Sequence, residues 1–391
     1  MALATETSST GVSPAMSDLI PPDARAVLRI DLDALRSNWR RLNEASGSAE
    51  CAGVIKADAY GLGIEQICRA LTDEGCRTFF AATLDEGRRV RAVQPGAVIY
   101  ILDGLLPGAA AYYSGFDLRP CLSSLEEIKE WAAYCRQRKR RLPAAIHLDT
   151  GMNRLGLPET EIAELAADPA ILGDFENTLI MSHLACADTP DSPMNEAQRE
   201  RFERLTAMLP PAPRSLSNSG GVFLGPAYHY DLVRPGIAVY GGRALENRPN
   251  PMQTVVRLSA RVLQVHEAAS GEAVGYGATY PLKEPTRIAT IACGYADGFL
   301  RAISSSSRGR PGPVGFIGPH PVPVIGLVSM DLITLDASNV PEELVHRGAW
   351  VEVMGDRVSL DDLTDRAGTI GYELLARLGR RVHRIYEGAG V

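Results

Sequence analysis

Lysine is scarce in this chain of 391 residues: Lys56, Lys129, Lys139 and Lys283 are the complete set, and the other 36 basic residues are arginine. Genome composition explains that bias better than function does, but it makes the placing of each lysine informative. The seven cysteines are scattered, odd in number and form no CxxC pair, which excludes a disulfide framework and a zinc cluster. No stretch approaches the ~18 apolar residues of a spanning helix, which excludes a helical membrane protein. There is no GxGxxG after a strand-like run and no GxxxxGK[ST], so dinucleotides and ATP are poor ligands. A net charge of −7 argues against nucleic acid as a partner. Residues 1–24 are rich in Ser, Thr, Ala and Pro and lack both a basic n-region and an apolar h-region. They read as a flexible leader and not as a secretory signal, and a cytoplasmic location is expected.

What is present is a series of short apolar runs. They are "AGVI" before Lys56, "TFFAAT" from Thr78, "AVIYIL" from Ala97, "FDLRPCL" from Phe116, "AAIHLD" from Ala144, "TLIMSHL" from Thr178, "RSLSNS" from Arg214 and "DLVRPGIAVY" from Asp231. Helix-like stretches separate them, such as "SSLEEIKEWAAYCRQRKR", with a Ser cap at its start and basic residues at its end. Eight strands at β–loop–α spacing predict an α/β fold with a (β/α)8 barrel over residues 25–250, residues 25–45 being a strand and helix lead-in. From residue 251 to 391 the runs are β-rich and separated by Gly and Pro, which predicts a second, mainly antiparallel β domain.

Barrel chemistry collects at the C-terminal ends of strands. Those ends present Lys56, Arg154, His183, Asn218, Ser219, Arg234, Gly236 and Ile237. Each has a bland reading: a solvated lysine, a core histidine, a turn at "SNSGG", arginines in ion pairs. Their convergence on the strand ends of one barrel weakens those readings together. The set suits an aldehyde cofactor that bears a phosphate. A lysine at an apolar mouth has its pKa lowered and its amine freed to react with a carbonyl. Ser219, the backbone N–H groups near Gly236 and Ile237, and a tyrosine hydroxyl could hold the phosphate.

The motifs "VIKADAYGLG", "HLDTGMNRLG", "SHLACAD", "SNSGG", "VRPGIAVYGG", "GYGATY", "GYADGFLR" and "VSMDLITLD" follow one another as in the alanine racemases, the fold-type-III pyridoxal-phosphate enzymes, which the chain resembles from about Arg29 to Tyr386. The resemblance implies an isomerase that interconverts L- and D-alanine, either supplying D-alanine for peptidoglycan or breaking it down. Lys56 would carry the cofactor and act as one base, and Tyr276 would be the opposite base. A tyrosine near its ordinary pKa of ~10 is a poor base at neutral pH. A chain from Tyr276 through His183 to Arg234 is therefore implied. Arg234 would face the pyridine nitrogen and suppress transamination, and His183 would pack on the ring. Tyr60, Ser219, Gly236, Ile237 and Tyr372 would bind the phosphate, with Asn218 beside them. Arg154 would reach the cofactor's phenolic oxygen and, with the N–H of Met330, the substrate carboxylate. Asp188, Tyr295 and Arg301 would line the access route. A homodimer with sites shared between subunits is also implied.

The chain departs from the family pattern in places. His147 stands where many members carry a carbamylated lysine whose charge orients the arginine of this motif, so Asn153 or a chloride ion is expected to brace Arg154. Asp58 and Leu62 replace frequent Asn and His, and Leu327 replaces a frequent Arg. Three other functions compete with an alanine-only racemase. A serine/alanine racemase differs only in breadth. A fold-type-III decarboxylase would place an acidic residue at the pyridine nitrogen, where this chain has Arg234. A cofactor carrier would be a lone barrel without the segment that bears Tyr276. No metal is expected.

Overall fold

The computed structural model describes residues 20–305 and 312–389. The expected leader falls outside the described residues as far as residue 19, as does most of the Ser-rich loop around residue 308. The chain forms two compact units. One is continuous from Leu32 to Val255; the other comprises the chain up to Asp31 and from Val256 onward.

The first unit is the barrel. Its strands are β2 (Glu50–Cys51), β3 (Gly53–Val54), β4 (Thr78–Ala81), β5 (Val98–Ile101), β6 (Arg119–Leu122), β7 (Pro143–His147), β8 (Glu176–Met181), β9 (Arg214–Ser215) and β10 (Leu232–Val233). Strands β3 to β9 pair in sequence order, each parallel to the next. β2 and β3 are one chain segment interrupted at Ala52, and β10 pairs parallel with β2. The N–H of Asp231 donates to Arg214 O at 3.0 Å and that of Arg234 to Ser217 O at 2.9 Å, which joins β10 to β9 and closes the ring. All eight apolar runs supply a strand of this ring.

Each strand is buried on both faces, as a parallel sheet under helices must be. Phe79, Phe80, Ile99, Ile101, Cys121, Ile146 and Leu179 are at most 1% exposed. The helices begin where the sequence signals them. Ser124 caps Leu125–Arg138 by accepting from Glu127 N, and Thr83 with Glu86 forms a capping box on Leu84–Val93. Gly87 on that second helix lies so close to β5 that a Cβ would meet Ile101 Cδ1 at 2.5 Å, so a larger residue would have to displace that side-chain end.

The second unit is built on β1 (Ala26–Asp31), β11 (Val256–Ala268), β12 (Ala273–Val274), β13 (Tyr280–Pro281), β14 (Thr286–Ile291), β15 (Val314–Ile317), β16 (His320–Pro323), β17 (Ile333–Asp336), β18 (Trp350–Met354) and β19 (His383–Glu387). The main sheet runs β16-β15-β18-β11-β1-β19, and β14 and β17 extend it from β11. Most pairings are antiparallel, and β1 with β19 is parallel. Residues 25–45 read from the sequence as one lead-in to the barrel; the structure divides them at Asp31. Every ladder bond of β1 goes to β11 or β19, whereas helix Leu32–Ala45 packs in the barrel unit. An "AVLRID" strand has the same pattern wherever it pairs, so its sheet is set by partners more than 200 residues away.

Leu28, at the centre of β1, is fully buried. Leu28→Ala should cost about 2–5 kcal/mol in urea unfolding of the unit that contains β11. The slow-exchanging amides of β1 should then lose protection together with those of β11 and not with those of the barrel strands.

Candidate active site

The parallel ring puts all strand C-termini on one rim. Lys56 follows β3 and opens a short helical segment, Lys56–Tyr60. His147 ends β7, His183 lies two residues beyond β8, Asn218 and Ser219 follow β9, and Arg234 follows β10 directly. Among the four lysines, Lys56 alone is partly buried, and the other three are exposed. Burial lowers its pKa first and Arg154 lowers it further, while Asp103 and Glu86 act in the opposite sense.

Arg234 is the fixed cation of the rim. It is 4% exposed, donates from Nη2 to Ser182 O at 2.5 Å and from Nη1 to Ser215 Oγ, and lies 5.7 Å from the Phe80 ring centroid. Burial brings its pKa down to about 10, so it stays charged at neutral pH. Both nearby imidazoles answer to it. Burial, then Arg234, Arg154 and Lys56, hold His183 well below the usual imidazole range. Burial, then Arg234 and Arg154, push His147 down to about 4. His147 is therefore neutral, and its Nδ1 lies 3.4 Å from Ser123 Oγ.

A phosphate cradle forms between β9 and β10. Ser219 Oγ accepts from Gly236 N at 2.9 Å and from Ala238 N at 3.3 Å. A Cβ on Gly236 would sit 2.1 Å from Tyr60 Oη, so the hydroxyl is pressed against that backbone. The Tyr60 ring stacks on Tyr240 at 4.5 Å, and Tyr240 Oη donates to Val54 O at 2.8 Å. Ile237 is 1% exposed, and its N–H has no acceptor among the described residues. A hydroxyl, a tyrosine and an unpaired buried amide around one glycine fit a phosphate group. Asn218 takes a structural part here: its Oδ1 accepts from Gly221 N at 3.0 Å as a helix cap, and its Nδ2 donates to Leu184 O at 3.3 Å.

Arg154 is exposed in the loop after β7 and has no hydrogen-bond partner among the described residues. Asn153, with φ of 54°, donates from Nδ2 to Gly151 O at 3.3 Å and does not brace it. Asp188 is exposed, and its carbonyl accepts from Glu246 N at 2.7 Å.

The remaining expected residues belong to the second unit. Tyr276 is 68% exposed at the tip between β12 and β13, flanked by Gly275 and Gly277 at φ of 75° and 70°. Met330, Tyr295 and Tyr372 are 53%, 41% and 39% exposed. Gly294 packs against the Met330 segment so closely that a Cβ would meet Met330 O at 2.4 Å. Arg301 Nη1 donates to Val328 O at 2.8 Å and shares a cavity with Tyr295. Sequence reading overlooked Asp103 and Glu86, the two carboxylates that face Lys56. The signals were available: Asp103 closes the run "AVIYIL", and "TLDE" is a capping-box pattern.

A barrel rim with a partly buried lysine, a phosphate cradle and a buried arginine defines a pyridoxal-phosphate enzyme of the barrel class. The family models agree: the alanine racemase N-terminal domain matches residues 30–244 and its C-terminal domain residues 255–386. An alanine racemase of Methylobacterium nodulans is 50% identical over 94% of this chain and 97% of its own length. A catabolic alanine racemase of Mesorhizobium japonicum is 48% identical over 93% of this chain and 94% of its own. The crystal structure of alanine racemase from Bartonella henselae with covalently bound pyridoxal phosphate superposes with a TM-score of 0.88 at 38% identity, over 93% of this chain and all of that one. This chain belongs to the alanine racemase family.

The neutral His147 gives stability a pH dependence. Its folded pKa lies below the unfolded value, so its contribution is present above about pH 6.5 and is lost as pH falls towards about 4. The loss is on the order of 3 kcal/mol. His147→Gln should remove that share, and the fall in unfolding free energy between pH 7 and pH 4 should become shallower by about that amount in urea titrations.

Proposed function

We propose that the chain interconverts L-alanine and D-alanine with Lys56 and Tyr276 as bases on opposite faces of the bound cofactor. The observation that supports this most is Lys56, a partly buried lysine whose amine burial and Arg154 make easier to deprotonate. Pyridoxal phosphate, when bound, withdraws electrons from the substrate Cα and makes its proton removable. Lys56 Nζ takes or returns that proton on one face, and the Tyr276 hydroxyl does so on the other. A chain from Tyr276 through neutral His183 to charged Arg234 would supply the positive potential that the tyrosine needs. Arg234 would face the pyridine nitrogen of the bound cofactor, where its charge would disfavour protonation of that nitrogen and so favour return of the proton to Cα over transamination. Tyr60, Ser219, Gly236, Ile237 and Tyr372 hold the phosphate. Arg154 and the Met330 N–H receive the carboxylate, while Asp188, Tyr295 and Arg301 line the access route.

Since Arg154 has no partner among the described residues and His147 is neutral, an anion such as chloride would brace it. A broader serine/alanine racemase is the alternative reading, since an apolar pocket would only weakly reject an added hydroxyl. The enzyme works in the cytoplasm as a homodimer, each site combining one subunit's barrel with the partner's Tyr276 segment. The exposure of Tyr276 at a glycine-flanked tip supports that reading.

Two measurements test it. Borohydride should fix the cofactor on the peptide that contains Lys56; a label on Lys129, Lys139 or Lys283 would remove the assignment. Lys56→Ala and Tyr276→Phe homodimers should each be nearly inactive. Co-expressed in equal amounts, they should recover roughly one quarter of wild-type activity, because about half the dimers are mixed and each mixed dimer has one intact site. No recovery with heterodimers present would place both bases in one subunit.

A further inference from the structure

The four residues after Lys56 adopt a conformation that side chains rarely take. Ala57, Asp58, Ala59 and Tyr60 have φ of 53°, 55°, 53° and 56°, one turn of left-handed helix. Crowding between Cβ and the carbonyl oxygen penalises every residue of such a turn. It persists only where the surroundings over-determine it.

Part of the restraint is internal. Ala59 N donates to Ile55 O at 2.8 Å, Gly61 N to Ala57 O at 2.7 Å and Gly63 N to Asp58 O at 2.8 Å. The N–H of Asp58 instead donates to Glu86 Oε1 at 3.2 Å. The other oxygen of Glu86 accepts from Ala82 N at 2.9 Å and Thr83 N at 3.3 Å, so one carboxylate ties the turn to the end of β4. One helical turn further on, Arg89 Nη2 meets Asp58 Oδ1 at 2.7 Å. The same Asp58 oxygen accepts from Ile64 N at 3.2 Å, and Arg89 grips both oxygens of Glu65 at 2.7 Å. Helix Leu84–Val93 thus holds the turn at two points on one face.

We propose that Glu86 and Arg89 are positioning residues for racemisation, locking the left-handed turn through Asp58 and so fixing Lys56 and Tyr60 at its two ends. The proposal rests on the assignment of Lys56 above. A capping box needs only Glu86 Oε2; the bond from Oε1 to Asp58 lies outside it. Arg89, Asp58 and Glu65 are each more than a third exposed, and pairs of that kind add little to global stability. Their effect is on local geometry. The pairing also accounts for an acid at position 58: an amide could cap Ile64 but would meet Arg89 without the carboxylate's opposite charge.

The test compares Glu86→Ala, Arg89→Met and Thr83→Ala holoenzymes. Thr83→Ala breaks the cap from its other side and leaves the Asp58 bond intact. Hydrogen exchange is followed on the peptide spanning residues 55–63, together with kcat and KM. Glu86→Ala and Arg89→Met should speed that exchange about tenfold relative to Thr83→Ala. Both should lower kcat about tenfold with little change in KM, since a misplacement near 1 Å can cost up to ~10²-fold. Thr83→Ala should stay within about twofold of wild-type kcat while losing thermal stability. If Glu86→Ala matches Thr83→Ala in both exchange and kcat, Glu86 is a cap alone and the proposal falls; Arg89→Met decides the point should Glu86→Ala fail to fold. Borohydride labelling of another lysine would instead overturn the site assignment and the catalytic half of the proposal, whereas exchange decides the lock without reference to activity.

Discussion

Burial, and after it one buried cation, keep both imidazoles of the barrel rim neutral. Removing Arg234 from water is costly, and three contacts offset that cost: the carbonyl of Ser182, the hydroxyl of Ser215 and the face of Phe80. A guanidinium remains charged even with its pKa at about 10, where an ammonium in the same place would have discharged. That charge adds to burial in disfavouring a proton on the neighbours. His183 and His147 are neutral, and the lysine amine is easier to deprotonate. Asp103 is pushed the other way, its carboxyl raised by burial and by Glu86 and lowered by Lys56. The rim thus contains two guanidiniums, Arg234 buried and Arg154 exposed, two neutral rings and an amine balanced between those guanidiniums and two carboxylates. That balance suits the role proposed for Lys56, a lysine that both holds and releases a proton.

The barrel was legible because its physics is local. A strand buried on both faces reads as an unbroken apolar run, and a helix with a Ser or Thr cap announces its start. Chemistry at strand ends then followed from the parallel arrangement alone, which is how Lys56, His183, Ser219 and Arg234 could be read together. Three features were not legible, for one shared reason. The sheet that takes β1, the second oxygen of Glu86 and the lack of a partner for Arg154 among the described residues each depend on residues distant in sequence. "AVLRID" shows a strand without showing its neighbours. "TLDE" shows a cap without showing that the carboxylate has an oxygen left for Asp58. Asn153 looked able to brace Arg154, but its positive φ turns its amide to Gly151 instead.

Glycine was the better guide at close approaches. Gly236, Gly87 and Gly294 each sit where a Cβ would collide with a specific group: the Tyr60 hydroxyl, Ile101 and the Met330 carbonyl. None of the three is demanded by a positive φ, so the reason is contact and not conformation. Gly275 and Gly277 are the opposite case, where backbone conformation requires them and a tyrosine is carried between them.

The left-handed turn after Lys56 combines the two demands without using glycine. Its residues are Ala, Asp, Ala and Tyr, and each carries a Cβ into a region that disfavours it. A glycine at any of these positions would relieve the strain but would also loosen the turn, because it gives the unfolded segment more freedom to lose. Side chains there serve two ends. Tyr60 is needed at the phosphate cradle, and Asp58 is needed to receive Arg89. A strained turn held from outside by a helix is stiffer than a relaxed one held only by itself, since leaving the conformation means breaking the Glu86 and Arg89 contacts together. Placing that stiffness between Lys56 and Tyr60 keeps the amine and the hydroxyl in one fixed relation, as the proposed roles of the two residues would require.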